Sequence, residues 1–254
     1  MIHICTVHWR NALWIDLQRS FLQESFSGSE YRLYVSYSGI PSYLFRDCYF
    51  SIEEDIRDHA TKLNRMAEYI ARDPSSRSTD ILIFIDGDAF PIAPLAFSIG
   101  EHLQRAPLVA VRRDENDGDK QPHPSFCATT LGFWKELPGD WSSGPTWINQ
   151  AGNPVTDVGA RLLERLQVTG NRWVPLLKSN APKLHPVFFS VYDKAVYHHG
   201  AGFRKKISRA DLVGQEISAN SKALIDAQNE KLSNMVISSL TKSKSDFLKL
   251  IGAN

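Results

Sequence analysis

Apolar positions along this chain fall in blocks whose period changes, and the first blocks alternate between strand and helix spacing. Ile2 to Val7 is a short apolar run rich in β-branched residues. Leu13, Leu17, Phe21, Leu22 and Phe26 follow within Asn11 to Phe26 at helical spacing, which predicts a β-α opening. Tyr31 to Val35 alternates and runs into Ser36-Tyr37-Ser38-Gly39-Ile40-Pro41, a second strand ending in a turn-rich loop. Ser51-Ile52-Glu53-Glu54 has the capping-box pattern and predicts a helix through about Ala71, stopped by Asp73-Pro74-Ser75-Ser76. Five apolar residues in a row, Ile81 to Ile85, predict a strand covered on both faces, as in a parallel sheet. A helical stretch near Leu95 to Arg105 and a buried strand, Leu108 to Val111, complete the alternation that a Rossmann-like sheet requires.

The pattern then breaks. Residues 112–155 are rich in Gly, Pro, Asp and Trp and predict long loops over the sheet, where substrates are usually met. Thr156-Asp157 predicts the start of a helix over Val158 to Leu166, Val187 to Tyr192 a late strand, and the chain from Asp211 onward a helical segment carrying Leu224, Met235, Leu240, Phe247 and Leu250. These blocks predict a catalytic-type domain over 1–210, with a nucleotide-binding half at 1–112 and an acceptor half at 113–210, followed by a helical extension at 211–254.

Charge excludes one class of partner. The 29 Lys and Arg nearly balance 28 Asp and Glu, so the broad positive field of a nucleic-acid binder is missing. Cys5, Cys48 and Cys127 are odd in number and widely spaced, which argues against a disulfide framework or a zinc knuckle and predicts a reducing, cytoplasmic compartment. His3, His8 and Arg10 interrupt the first apolar run too early for a signal peptide, and no stretch reaches membrane-spanning length.

The chemistry concentrates at the end of the Ile81 strand. Asp86-Gly87-Asp88 puts two carboxylates one glycine apart at the carboxyl end of a buried strand, where open α/β sheets bind ligands. Paired oxygen donors suit a hard divalent cation, Mn²⁺ or Mg²⁺, that also holds phosphates. Asp-Gly is also common turn chemistry; the buried strand before it and Phe90-Pro91 and Pro94 after it favour the metal and diphosphate site.

The β-α half, the strand ending in Asp-x-Asp, the loop-rich second half and a late histidine loop together resemble the nucleotide-sugar-dependent glycosyltransferases of the GT-A fold. That resemblance implies an α/β fold with a mixed, mostly parallel, Rossmann-like sheet flanked by helices, here with a helical C-terminal extension. It implies Asp88 as direct metal ligand and Asp86 on metal, ribose or both. His199-Gly200-Ala201-Gly202-Phe203-Arg204-Lys205 resembles the His-x-x-Gly-x-x-Lys signature of the retaining family 8 enzymes, implying His199 as a third ligand and Lys205 on the diphosphate; Lys206-Ile207 stand where that signature continues Pro-Trp. The implied donor is a nucleoside diphosphate sugar, UDP-sugar favoured, and the implied acceptor a carbohydrate or lipid-linked glycan.

Thr6, His8 and Trp9 follow the first strand, where the class seats base and ribose; Trp9 either stacks on the base or fills a core. His59, Asn64 and Arg65 precede the acidic strand and either reach ribose or diphosphate or form a solvated helix face. Asp157 is the candidate acceptor-activating base, with a helix N-cap as its structural alternative. His123, Phe126, Phe133, Trp134, Trp141 and Trp147 are candidates for a sugar pocket or for core, and Arg112 and Arg113 for donor phosphates or for surface. Arg204, Lys205, Lys206 and Arg209 also allow peripheral membrane contact.

Two other functions compete. Haloacid-dehalogenase-type phosphohydrolases also end a strand in Asp-x-Asp, but there the motif follows the first strand and continues with Thr or Val, whereas Asp88 is followed by Ala89-Phe90-Pro91. A non-catalytic carbohydrate-binding relative is the other; a decayed site would tend to lose one of Asp86, Asp88 and His199. A dinucleotide fingerprint fails, because Lys205 stands where the third glycine belongs.

Overall fold

A computed structural model describes residues 1–116, 119–148, 152–179, 188–200 and 218–253. Along the chain come β1 (Ile2–Trp9), α1 (Leu13–Ser25), β2 (Tyr31–Ser38), β3 (Phe50–Ile52), α2 (His59–Arg72), β4 (Ile81–Asp86), β5 (Ala89–Pro91), α3 (Leu95–Arg105), β6 (Leu108–Val111) and β7 (His123–Thr130). Then follow α4 (Leu131–Glu136), β8 (Trp147–Ile148), β9 (Pro154–Val155), α5 (Ala160–Val168), β10 (Val174–Leu176), β11 (Ser190–Tyr192), β12 (Val196–His198), α6 (Ala219–Lys242) and α7 (Lys244–Ile251).

Seven strands form one sheet in the order β10-β6-β7-β4-β1-β2-β3. Every neighbouring pair is parallel except the two made by β7, which runs against both β4 and β6. The mixed, mostly parallel, helix-flanked arrangement expected from the sequence is therefore present. Helices α1 and α3 bury Ile15, Leu22, Leu95 and Ile99 on one face, while α2, α4 and α5 bury Leu63, Met66, Trp134 and Leu162 on the other. That double cover is why Ile81 to Ile85 is apolar without alternation.

A third core lies outside the main sheet. Phe21 on α1, Phe90 on β5, Tyr197 on β12 and Val236, Leu240, Phe247 and Ile251 on α6 and α7 pack together there. The C-terminal helices thus cover the small antiparallel sheet β11-β12-β5. Of the apolar residues scattered through this segment Leu240 and Phe247 are buried, while Leu224 and Met235 stay exposed.

Three expectations need correction. Ser51 opens no helix: it lies in β3, paired with Val35, and α2 begins instead at Asp58, whose carboxylate accepts the Thr61 amide at 2.6 Å. The β2 edge claims Phe50 to Ile52 as a strand, and such pairing overrides a local capping pattern. Residues 112–155 are not all loop, because β7 runs through the middle of the sheet; His-Pro-Ser-Phe-Cys-Ala-Thr-Thr is too polar and small to read as a buried strand. The helix expected from Val158 begins at Ala160, with Gly159 at φ 91° as its N-cap. Residues 211–217 of the predicted helical segment lie outside the described residues.

Candidate metal and donor site

The chain enters β1, moves outward through β2 and β3, and returns to the opposite side of β1 with β4. The carboxyl ends of β1 and β4 therefore flank a topological switch point, the place where open α/β sheets leave a crevice. Asp86 is the last residue of β4, directly opposite Val7.

The acidic turn is fixed by short contacts. Gly87 donates its amide to the Val7 carbonyl at 3.0 Å, and a β-carbon at this position would sit 2.4 Å from that same oxygen. Only glycine allows the turn to lie so close against β1. Gln18, buried on α1, donates its carboxamide to the carbonyls of Asp86 and Ala89, both at 2.7 Å, and accepts the Thr6 hydroxyl at 2.9 Å. One amide thus ties β1, the turn and the start of β5 together.

The late chain arrives by β-pairing. β12 lies antiparallel to β5 with His198 opposite Ala89, and the His199 amide donates to the Asp88 carbonyl at 3.0 Å. His198 Nε2 stands 3.4 Å from Asp88 Oδ1 and 3.7 Å from Asp86 Oδ2. Donor atoms of Asp86, Asp88 and His198 all lie within 4.8 Å of one another. Cis ligands of an octahedral ion held at roughly 2.1 Å stand about 3.0 Å apart and trans ligands about 4.2 Å, so these residues fit a small divalent cation with little movement. An imidazole beside two carboxylates suits Mn²⁺ better than Mg²⁺.

His199 faces the other way. Neighbouring residues in extended chain point to opposite sides, so only one of this histidine pair can meet the acids. The His199 ring lies 4.5 Å from Trp14 and 4.9 Å from Phe189, with Nδ1 2.9 Å from the Tyr197 hydroxyl and Nε2 3.4 Å from Ser233 Oγ on α6. The structure brings His198, not His199, to Asp86 and Asp88.

Two further histidines surround Asp86. His59 Nε2 is 2.9 Å from Asp86 Oδ1, within ion-pair reach but off the line of a hydrogen bond, so among the described residues this buried oxygen has no hydrogen-bond donor. His123 Nδ1 lies 4.0 Å from Oδ2 and accepts the Ser125 amide at 3.0 Å, leaving Nε2 to carry the proton of the neutral ring. Burial, then the charges of Arg113, His198 and His59, push the His123 pKa well below the usual histidine value. Burial likewise lowers His8 to about 4, against an opposing pull from Asp88.

A cleft of about 300 Å³ opens above this floor. His8, Trp9, Arg57, His59 and Lys62 line its β1 side, and Arg113, His123 and Asp157 the opposite wall. Arg10 and Lys62 lie over the Trp9 ring at 5.2 and 5.0 Å, so cations already occupy part of the surface offered for stacking. Asp157 Oδ2 accepts Arg113 Nη2 at 2.7 Å and Oδ1 accepts the Val158 amide at 2.8 Å. This acid is therefore an ion-pair partner rather than a helix cap; Asp119, at 2.6 Å, shares the same guanidinium.

Several expected residues face elsewhere. Thr6 is buried behind the turn against Gln18. Asn64 brackets the 140–141 loop, donating to Asp140 at 2.8 Å and accepting the Trp141 amide at 3.0 Å. Arg65 pairs with Glu54 at the surface, and Arg112 with Asp114. Phe126, Trp134 and Trp141 belong to the cores. Gly202, Arg204, Lys205, Lys206 and Arg209 lie outside the described residues. Lys62 and Gln18 were not foreseen: a lysine or glutamine on a helix carries no signal until the helix is packed. Among the described residues no helix is long and apolar enough to cross a membrane.

No family model matches this chain, and no curated protein does. Solved structures do. The galactosyltransferase LgtC, in complex with donor and acceptor sugar analogs, is 14% identical over 53% of this chain and 59% of that one, with a TM-score of 0.37. The match thus takes in less than two thirds of LgtC. The mannosyltransferase PcManGT from Pyrobaculum calidifontis, in complex with GDP-Man and Mn²⁺, is 12% identical over 99% of this chain and 73% of its own, with a TM-score of 0.49. The glycosyltransferase GlyE of Streptococcus pneumoniae TIGR4 is 10% identical over 68% and 44% of the two chains, with a TM-score of 0.42.

Proposed function

We propose that this protein is a metal-dependent glycosyltransferase of the GT-A type, moving a hexose-type sugar from a nucleoside diphosphate sugar to a hydroxyl of a carbohydrate or glycoconjugate. The observation that carries the proposal is the convergence of Asp86, Asp88 and His198 at the switch point, beneath a cleft lined by cations and aromatic rings. Those three side chains hold Mn²⁺, His198 taking the place the sequence pattern suggested for His199. The ion, when bound, neutralises charge growing on the diphosphate leaving group.

The chain's own groups divide the remaining work. His8, Trp9, His59 and Lys62 take the nucleoside of the donor, a UDP-sugar in this proposal, and Lys205 adds charge at the diphosphate. Neutral His123 donates from Nε2 toward the donor, and Arg113, held by Asp119 and Asp157, faces the transferred sugar. We assign Asp157 to positioning this guanidinium, because its carboxylate is already committed to the pair. The site of action is cytoplasmic, with Arg204, Lys205, Lys206 and Arg209 as the contact to a membrane bearing a lipid-linked acceptor.

Hydrolysis of UDP-, GDP-, CMP- and TDP-sugars with and without Mn²⁺ tests this. Mn²⁺-dependent turnover of one donor is expected, abolished by Asp88→Ala, reduced at least about tenfold by His198→Ala, and retained by folded His199→Ala. Metal-independent turnover, unchanged turnover in Asp88→Ala and His198→Ala, cleavage of simple phosphomonoesters instead, or sugar binding without turnover defeats the proposal.

A further inference from the structure

Lys62 is the least expected side chain in the cleft. It projects from α2, is only 1% exposed, and yet lines the cavity. Among the described residues its ammonium makes no hydrogen bond and no ion pair; its one close partner is the face of Trp9, 5.0 Å away. Burying an ammonium without an acceptor is unfavourable, and here burial lowers its pKa to about 8, against weaker pulls from Asp55 and Asp58 and with a small push from Arg10. Arg57 and His59 line the same side. Lys62 lies over Trp9, the last residue of β1, and one helical turn beyond His59, the residue of α2 that reaches Asp86, so it stands beside the acidic tip rather than on it. A donor with its diphosphate at that tip extends its base toward Lys62.

An ammonium has three donors and no acceptor. Bases differ on one edge in that respect: uracil, thymine and guanine present a keto oxygen where cytosine and adenine present an amino group. We propose that Lys62 reads the base of the donor nucleotide, its ammonium hydrogen-bonding that keto oxygen and disfavouring the amino group. This inference rests on the glycosyltransferase proposal and adds a rule of donor choice, keto bases over amino bases.

The test is calorimetric binding of UDP, GDP, CDP and ADP to the whole protein with saturating Mn²⁺, in the native chain and in Lys62→Met, which keeps the unbranched stem and removes the ammonium. The native chain is expected to prefer UDP or GDP. The variant is expected to lose about ten- to a hundredfold of that affinity, the range of one charge-assisted hydrogen bond, while CDP and ADP change less than about threefold. At pH 8.5 binding of the preferred nucleotide takes up a proton from buffer, visible as a dependence on buffer ionisation enthalpy, and in Lys62→Met it does not. Equal losses for UDP and CDP indicate a phosphate or ribose contact and overturn the inference while leaving the transferase proposal standing. Unchanged affinities, or no proton uptake, also overturn it. Failure of every nucleotide to bind removes the transferase proposal and this inference with it.

Discussion

Replacing Gln18 by Leu tests the local architecture most directly, because it keeps the side-chain volume and removes only the polar clamp. Three groups lose their partner: the Asp86 carbonyl and the Ala89 carbonyl, each 2.7 Å from the amide nitrogen, and the Thr6 hydroxyl, 2.9 Å from its oxygen. An orphaned buried polar group costs roughly 1–3 kcal/mol. The Asp86 carbonyl is only partly buried and is taken at the low end, about 1 kcal/mol, with about 2 for each of the others. Burying a leucine in place of an amide returns about 1–2 kcal/mol, leaving a net loss of about 3–4 kcal/mol. Urea denaturation followed by Trp fluorescence measures it. Both lost donors hold backbone on either side of Asp88, so Mn²⁺ affinity, read by electron paramagnetic resonance of the free ion, is expected to fall about tenfold in the folded variant, as for loss of other supports behind metal ligands. A stability change under about 1 kcal/mol, or native Mn²⁺ affinity in the folded variant, refutes the assignment of Gln18 as the residue that positions the turn.

Two further outcomes are expected. In Gly87→Ala the new β-carbon meets the Val7 carbonyl at 2.4 Å and His8 Nδ1 at 2.7 Å, and the carbonyl, on a strand paired on each side, cannot retreat. A loss above about 3 kcal/mol and of Mn²⁺ binding follows, and a thermal midpoint within about 2 °C of native contradicts it. The second concerns acid. His8 has a folded pKa of about 4 against 6.5 when unfolded, so between those values the unfolded chain binds a proton the native one refuses. Stability from His8 is complete above pH 6.5 and is lost as pH falls toward 4, by about 3 kcal/mol, with buried His123 adding in the same direction. Urea midpoints between pH 7 and 4.5, in chelator, are expected to fall steeply and to flatten in His8→Gln; a flat native profile shows that these rings are not buried neutral.

Apart from β3 and β5, the alternation of strand and helix over residues 1–112 is written in local composition, because burial on two faces demands the unbroken apolar run Ile81 to Ile85, and that run delivers Asp86 and Asp88 to its end whatever surrounds it. The helical character of the C-terminal segment was legible too, but not which of its scattered apolar residues are buried. Matters of partnership, by contrast, are fixed by packing between distant parts of the chain. β7 is central because β4 and β6 pair with it, not because of its own polar composition. The helix after β3 starts at Asp58 because the β2 edge takes Ser51 for the sheet. His198 rather than His199 meets the acids because the register of β12 on β5 fixes which member of an adjacent pair faces the cleft, and register is a long-range property that a motif's spacing does not encode. Gln18 and Lys62 matter for the same reason: their chemistry comes from the carbonyls and the empty space that folding sets against them.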